Sequence, residues 1–379
     1  MSTSTGAIIP ITMPKFGLAM TEGKIASWAK PEGAAVAVGD ELADIETTKI
    51  TNAYESPVAG VLRRHVAPEQ EDLPVGALIA VVADPSVPEV EIDAFVTRFQ
   101  AEFVTRQSVE ATQGAPAPAT IEAGGHSLRY LELGQAHEGR PIVLIHGFGG
   151  DLNNWLFTQP ALAGQVRVIA LDLPGHGGSS KQVGAGDLAA LSGALLAFLA
   201  AKDIPRAHLV GHSLGGAVAL RTALDKPAHV ASLTLIAPAG LGTEIDGAFP
   251  ADFISAGRRK QLQPVLQKLF ADKSLVSHDM VEDLLRFKRL DGAKEALSAI
   301  AEANFGGGRQ QEILAGRLPE LGDLPVQVIW GELDEIIPAS QARSLPGSVR
   351  VQVLPGAGHM PHMEKSAEVN RMILGLALG

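Results

Sequence analysis

The chain has 379 residues, no cysteine and a formal net charge of −11, which excludes disulfides, thiolate metal sites and a cysteine nucleophile and argues against a nucleic-acid partner. Apolar residues make up 46% but aromatics only 4%, so at this length more than one Ala/Val/Leu-rich core is expected. No stretch reaches the ~18 uninterrupted apolar residues of a membrane span, no basic segment opens a secretory signal, and a cytoplasmic protein with no metal site and no membrane association is expected.

Charge is unevenly spread. Residues 1–110 carry 8 Lys/Arg against 16 Asp/Glu, a net −8, which leaves −3 for the other 269 residues. Two parts with different surfaces are joined.

In the first part, residues 7–84, short β-favouring runs lie between turn signals: Ile8–Thr12, Gly23–Trp28, Glu41–Glu46, Gly60–Val66 and Leu78–Val82. This pattern predicts a small all-β sandwich or barrel. Lys49, in I-E-T-T-K-I at 45–50, falls where a hairpin tip is expected, with Gly39 ten residues before it and Gly60 eleven after. A lysine there is either an ordinary surface residue or the anchor for a long arm carried on a rigid domain.

Residues 85–120 form a connector. Ile92, Phe95, Val96, Phe99 and Phe103 recur at helical spacing and predict a short amphipathic helix, docked on one of the chain's own domains or on a partner subunit. The Ala/Pro stretch Thr112–Ala119 reads as a linker extending about 3.1 Å per residue.

From 121 to 379, an expected hairpin turn at Gly124-Gly125 precedes strands at Ile142–Ile145, Arg167–Leu171, His208–Val210, Leu233–Ala237, Val326–Trp330 and Arg350–Leu354, with helical stretches between them. Such alternation implies a mostly parallel sheet covered on both faces, with reactive residues at the carboxyl ends of strands. Leu188–Ala201, apolar but broken by Ser192 and Gly193, reads as a buried helix. Between 241 and 323 the alternation stops and charged helical segments appear.

Several strand ends carry motifs. His146-Gly-Phe-Gly-Gly150 follows one strand and Asp172-Leu-Pro-Gly-His-Gly-Gly-Ser179 the next. Gly211-His-Ser-Leu-Gly215 lies at a strand-to-helix turn that would hold the Ser213 hydroxyl clear of the sheet. Gly331-Glu-Leu-Asp334 and Gly356-Ala-Gly-His359 follow the last two strands.

These motifs, in this order, resemble the α/β-hydrolases over about 255 residues. The resemblance implies Ser213 as nucleophile, His359 as its base and Asp334 as the residue orienting that base. It places the oxyanion donors on the main-chain N–H groups of Phe148 and Leu214, and makes residues 241–323 a helical cap. His362 is a weaker candidate base because it lacks the Gly-x-Gly turn; His212 should line the wall, His146 and His176 should bond loop backbone, and Asp172 should form a turn. Arg258, Arg259 and Lys260, and Arg286, Lys288 and Arg289, are either a phosphate-binding surface or a solvated face.

The first 80 residues resemble the lipoyl domains of 2-oxo acid dehydrogenase complexes, through M-P-K-F-G-L at 13–18, E-G at 22–23, V-G-D-E-L at 38–42 and E-S-P-V-A-G at 55–60. Thr48 and Ile50 flank Lys49 where biotinyl domains have methionines, which favours lipoate; Thr48 is neutral where lipoyl domains usually have an acidic residue. The expected fold class is therefore multi-domain: an N-terminal all-β lipoyl (biotinyl/lipoyl-like) domain and a C-terminal α/β-hydrolase fold with a helical cap.

That pairing resembles the acyltransferase components of acetoin dehydrogenase complexes. It implies covalent lipoate on Lys49 and coenzyme A as co-substrate. The implied partners are a thiamine diphosphate-dependent enzyme, a flavoprotein dihydrolipoyl dehydrogenase and a lipoylating enzyme; such components commonly assemble as homo-oligomers around symmetric cores, while the sequence leaves the oligomeric state of this chain open. The small subunit-binding module and the histidine/D-G catalytic domain of other lipoyl acyltransferases are not recognisable. With water as acceptor the same residues would make a serine esterase or thioesterase. A carrier with an inert scaffold is a third reading, against which the complete Ser–Asp–His set argues.

Overall fold

A computed structural model describes residues 8–14, 22–46, 51–113 and 116–379 and divides the chain into two units, Met1–Ala115 and Pro116–Gly379. In the first unit the strands are β1 (Ile8–Thr12), β2 (Glu22–Trp28), β3 (Ala35–Val36), β4 (Glu41–Glu46), β5 (Thr51–Glu55), β6 (Gly60–His65), β7 (Asp72–Pro74) and β8 (Leu78–Ala83). They form two four-stranded antiparallel sheets, β1-β8-β6-β3 and β5-β4-β2-β7. Ile11, Met13, Ile25, Leu42, Ile45, Leu62 and Ile79 fill the space between them. The short strands β3, β5 and β7 lack an apolar run and were not recognisable by pattern; partner strands, not composition, make them strands.

β4 and β5 pair antiparallel out to Glu46↔Thr51. Lys49 belongs to the connection between them and lies outside the described residues.

The run Leu78–Ala83 is apolar without alternation because both faces of β8 are covered. Ile79, Ala80 and Val82 face the sandwich interior, while Leu78, Val81 and Ala83 meet Val87 and Ile92, with Phe95, Val96 and Phe99 packed alongside. Those last residues lie on a helix, Glu89–Gln113, pinned at its start by Arg63 to Glu89 at 2.5 Å and Arg64 to Glu89 and Asp93 at 2.8 Å. The helix thus docks on its own β-unit. It is longer than the short helix expected, since no proline or glycine interrupts the 25 residues from Glu89 to Gln113.

In the second unit, β9 (Ala119–Ala123) and β10 (His126–Leu133) form the hairpin at Gly124-Gly125; β11 (Ile142–Ile145), β12 (Val168–Leu171), β13 (Ala207–His212), β14 (Val230–Ile236), β15 (Val326–Gly331) and β16 (Arg350–Leu354) follow. The sheet order is β16-β15-β14-β13-β11-β12-β10-β9, parallel from β16 to β12 and antiparallel beyond. Alternate side chains face opposite layers. Leu209, Leu233 and Val328 join Leu195, Phe198 and Leu220 of the helices Leu188–Ala201 and Leu214–Asp225. Val210, Ile236 and Ile329 meet Trp155, Leu162, Val369 and Ile373.

Between β14 and β15 four helices are inserted: Phe249–Ser255, Arg259–Gln267, His278–Phe287 and Ala293–Phe305. Phe253, Leu262, Leu285 and Ile300 on them are buried in the same apolar cluster as the sheet, so the insertion is part of the unit's core. Among the described residues no helix is long and apolar enough to cross a membrane.

Candidate active site

The elbow follows from close approach. β13 runs to His212, Ser213 takes φ 52° and ψ −118°, and Leu214 begins the next helix. A non-glycine residue at such a backbone position costs about 1–3 kcal/mol and persists only where its surroundings hold it. Here the Ser213 N–H donates to Ile236 O at 2.9 Å and its carbonyl accepts from Ala239 N at 3.0 Å. A methyl group on Gly215 would collide with the carbonyls of Ile145 and His146, and one on Gly211 with the backbone of Gly215. The flanking glycines therefore let strand, turn and helix meet.

The same residues that crowd Gly215 lead into the loop 146–150. Gly147 packs on Ser213: a Cβ there would stand 3.0 Å from the serine Cβ. Phe148 comes next, its ring set edge-on to His176, Phe253 and Phe305 at 6.2, 5.8 and 6.0 Å. Leu214 heads its helix, and a first helical N–H faces no carbonyl of a preceding turn. Leu214 thus follows the serine directly, and Phe148 follows the glycine that packs against it.

Asp334 and His359 are brought together. His359 Nδ1 lies 2.8 Å from Asp334 Oδ2, with the imidazole 2% exposed and the carboxylate shielded from solvent. Because the carboxylate only accepts, Nδ1 carries the proton, and Nε2 is left with a lone pair. The other oxygen, Oδ1, accepts from the N–H groups of Ile336 and Ile337 at 2.8 and 3.0 Å. Gly331 allows this meeting, since any Cβ there would overlap the carbonyls of Ala357 and Gly358 just before the histidine.

Two contacts at the site lie outside the motifs read from the sequence. His212 Nε2 donates to the main-chain carbonyl of His359 at 2.9 Å, tying the residue before Ser213 to His359. His212 does not simply line the wall. Trp330 Nε1 donates to Asp334 Oδ2 at 2.9 Å. Only the W-G-x-x-D spacing hints at the second, and nothing in composition hints at the first.

The competing histidines have other roles. His146 Nε2 accepts from the Leu173 N–H at 3.0 Å while Nδ1 donates to Gly147 O at 2.7 Å, and His176 Nδ1 donates to Pro174 O at 3.1 Å, so both bond loop backbone as expected. His362 is fully buried with its ring 4.7 Å from both Trp155 and His212, away from any carboxylate partner. Asp172 holds the turn by accepting from Leu152 N and Gly178 N at 2.7 Å and from Arg129 at 3.2 Å.

Burial sets the charge of these rings. It pushes His362 down to about 3, with the neighbouring His359 adding to the effect. Burial likewise holds His212 and His176 well below the ordinary histidine value and lowers His146. All four are neutral in the fold, yet in the unfolded chain each takes up a proton below about pH 6.5. Their stabilisation is complete above that value and is lost as pH falls below it, for His362 from 6.5 toward 3 at up to ~1.4 kcal/mol per pH unit. The urea midpoint is expected to fall steeply between about pH 7 and pH 5. A midpoint that stays level across that interval would show that the rings are not held neutral.

Of the basic residues Arg286, Lys288 and Arg289, the two arginines are exposed and only the lysine is buried. Lys288 is 4% exposed, its ammonium bonded to the carbonyls of Phe253 and Ala256 and lying 5.2 Å over the Phe253 ring. Burial, helped by Lys294, lowers it to about 8. Lys288 caps the helix that carries Phe253, and Arg286 pairs with Asp283. Arg258, Arg259 and Lys260 are exposed and form no ion pair among the described residues. No group of three or more His, Cys, Asp or Glu suited to a metal ion occurs among the described residues.

Comparison with known proteins agrees with this fold. Residues 140–366 match the α/β-hydrolase fold family, and residues 9–82 match the biotin-requiring enzyme family. The dihydrolipoyllysine-residue acetyltransferase component of the acetoin cleaving system of Pseudomonas putida is 53% identical over 364 residues, 96% of this chain and 97% of that protein. The protein of the same description from Cupriavidus necator is 44% identical over 366 residues, covering 97% and 96%. Among solved structures, a meta-cleavage product hydrolase from Pseudomonas fluorescens superposes with a TM-score of 0.61 at 26% identity, over 68% of this chain and 96% of that one.

Proposed function

Since the chain belongs to the family of dihydrolipoyllysine-residue acetyltransferase components of acetoin cleaving systems, we propose that it moves an acetyl group from a lipoyl arm on Lys49 to coenzyme A by way of an ester on Ser213. The observation that carries the chemistry is the Asp334–His359 contact of 2.8 Å beside a strained serine elbow.

Lys49 fits an attachment site by its chemistry and its place in the chain: it is the lysine in the sequence between the paired residues Glu46 and Thr51, and its amine is the group an amide to lipoate requires. When bound there, lipoate supplies a thiol on a long arm that presents the acetyl group as a thioester. In the proposed cycle His359 Nε2 removes the proton from Ser213 Oγ, which attacks the thioester carbonyl carbon. The N–H groups of Phe148 and Leu214 hold the oxyanion, each worth ~3 kcal/mol in the transition state. Collapse breaks the C–S bond, and the proton on His359 goes to the departing sulfur. In the second half His359 deprotonates the thiol of coenzyme A, whose sulfur attacks the Ser213 ester; the C–O bond breaks and Ser213 recovers its proton. Asp334 keeps the imidazole in the tautomer both halves need.

Arg258, Arg259 and Lys260, exposed at the head of the cap helix Arg259–Gln267 and without an ion pair among the described residues, are cations that the phosphates of coenzyme A could meet. The partners in this reading are a thiamine diphosphate-dependent enzyme that delivers the acetyl group, a flavoprotein that reoxidises the arm and an enzyme that lipoylates Lys49.

The acceptor is tested directly. With S-acetyldihydrolipoamide as donor, acetyl-coenzyme A is expected to form much faster than free acetate, and acetate release to be slow with or without coenzyme A. Equal acetate release in both cases would make the protein a thioesterase.

A further inference from the structure

Trp330 is fully buried at the end of β15, four residues before Asp334. Its indole N–H is shared between Asp334 Oδ2 at 2.9 Å and Ile337 O at 3.0 Å. The N–H of Ile337 in turn donates to Asp334 Oδ1 at 3.0 Å. These bonds close a ring through the indole, the carboxylate and one residue of the loop. A carboxylate turns easily about its last side-chain bond, whose torsional preference is broad. The loop N–H groups hold Oδ1 alone, and a group held by one oxygen can still swing about it. The indole donor acts on the other oxygen, the one that also accepts from His359 Nδ1 at 2.8 Å.

We propose that Trp330 is a positioning residue for acyl transfer: its N–H fixes the plane of the Asp334 carboxylate so that Oδ2 faces His359. The proposal rests on the reading of Asp334 and His359 as the base pair of the reaction. Trp330 touches neither Ser213 nor the acyl group in this account, and acts only through Asp334. The indole is suited to the task because it brings a donor with no acceptor of its own, so it cannot compete for the histidine proton.

The test removes the N–H while keeping the ring. Trp330→β-(3-benzothienyl)alanine replaces N–H by sulfur in a side chain of nearly the same shape, and Trp330→Phe serves as the coarser variant. In acetyl transfer from S-acetyldihydrolipoamide to coenzyme A, kcat is expected to fall about 10- to 100-fold with KM nearly unchanged. In an Asp334→Ala background the same replacements are expected to have no further effect on kcat, because the residue through which they act is gone. If the benzothienyl variant keeps the parent kcat, or if the loss is equally large in both backgrounds, Trp330 is a packing residue and the proposal fails. Asp334→Ala alone separates the two readings: should it leave kcat intact, the base pair assignment fails first, irrespective of Trp330.

Discussion

Ser213→Ala is expected to reduce acetyl transfer to coenzyme A by at least about 10⁴-fold while the protein stays folded. Alanine keeps the Cβ that the φ 52° turn already accommodates and leaves Gly211, Gly215 and Gly216 in place, so the elbow should form as before. What is lost is the oxygen proposed to carry the acetyl group as an ester. Donors at Phe148 and Leu214 would remain, and such donors alone sustain some catalysis over water. The measurement is steady-state formation of acetyl-coenzyme A, with trapping of acetylated protein by denaturation as a companion. Near-parental transfer by the alanine variant would mean that coenzyme A attacks the thioester directly, with His359 as its base and no ester on the chain.

Lys49→Arg should have the complementary effect. Arginine keeps the positive charge but cannot form the amide to lipoate, so the variant is expected to show no lipoyl increment in intact mass. Turnover of the assembled system from acetoin should disappear, while transfer from free S-acetyldihydrolipoamide should persist at the parental rate. The physical reason is tethering: an attached arm presents its thioester at an effective concentration in the millimolar range, which a free donor must match by its own concentration. Ser213→Ala removes both activities and Lys49→Arg only the tethered one. If Lys49→Arg also lost transfer from the free donor, the lysine would be acting in the chemistry and not as a carrier anchor.

Much of the candidate site was legible because its requirements are local. A serine on a strained strand-to-helix turn needs glycines beside it, and Gly211 and Gly215 stand at positions where a Cβ would strike backbone. The five strand-end motifs announced a parallel sheet, since each loop at a carboxyl strand end follows an apolar run. The outer face of β8 was less legible: Leu78–Val82 was one β-favouring run among five, and only the structure shows that Glu89–Gln113 covers its outer face. Lys288 was misread with its basic neighbours, because charge in a helical segment normally marks a solvated face. Its burial depends on how the ends of two cap helices converge on Phe253, which no pattern along the chain encodes.

By itself, then, the sequence determined the order of the two parts and the residues able to do the chemistry: a lysine between two β-runs, a serine among glycines, and an aspartate and a histidine after the last two parallel strands. These follow from side-chain type and short-range spacing. Tertiary structure alone decided how those residues are held. His212 reaches His359 across 147 residues, and the Trp330 indole turns onto one oxygen of Asp334 and not the other. A hydrogen bond needs a distance near 3 Å and a narrow range of angles. Those are set by rotamers and by the packing of distant segments, so they exist only once the sheet, its loops and its cap have closed around them.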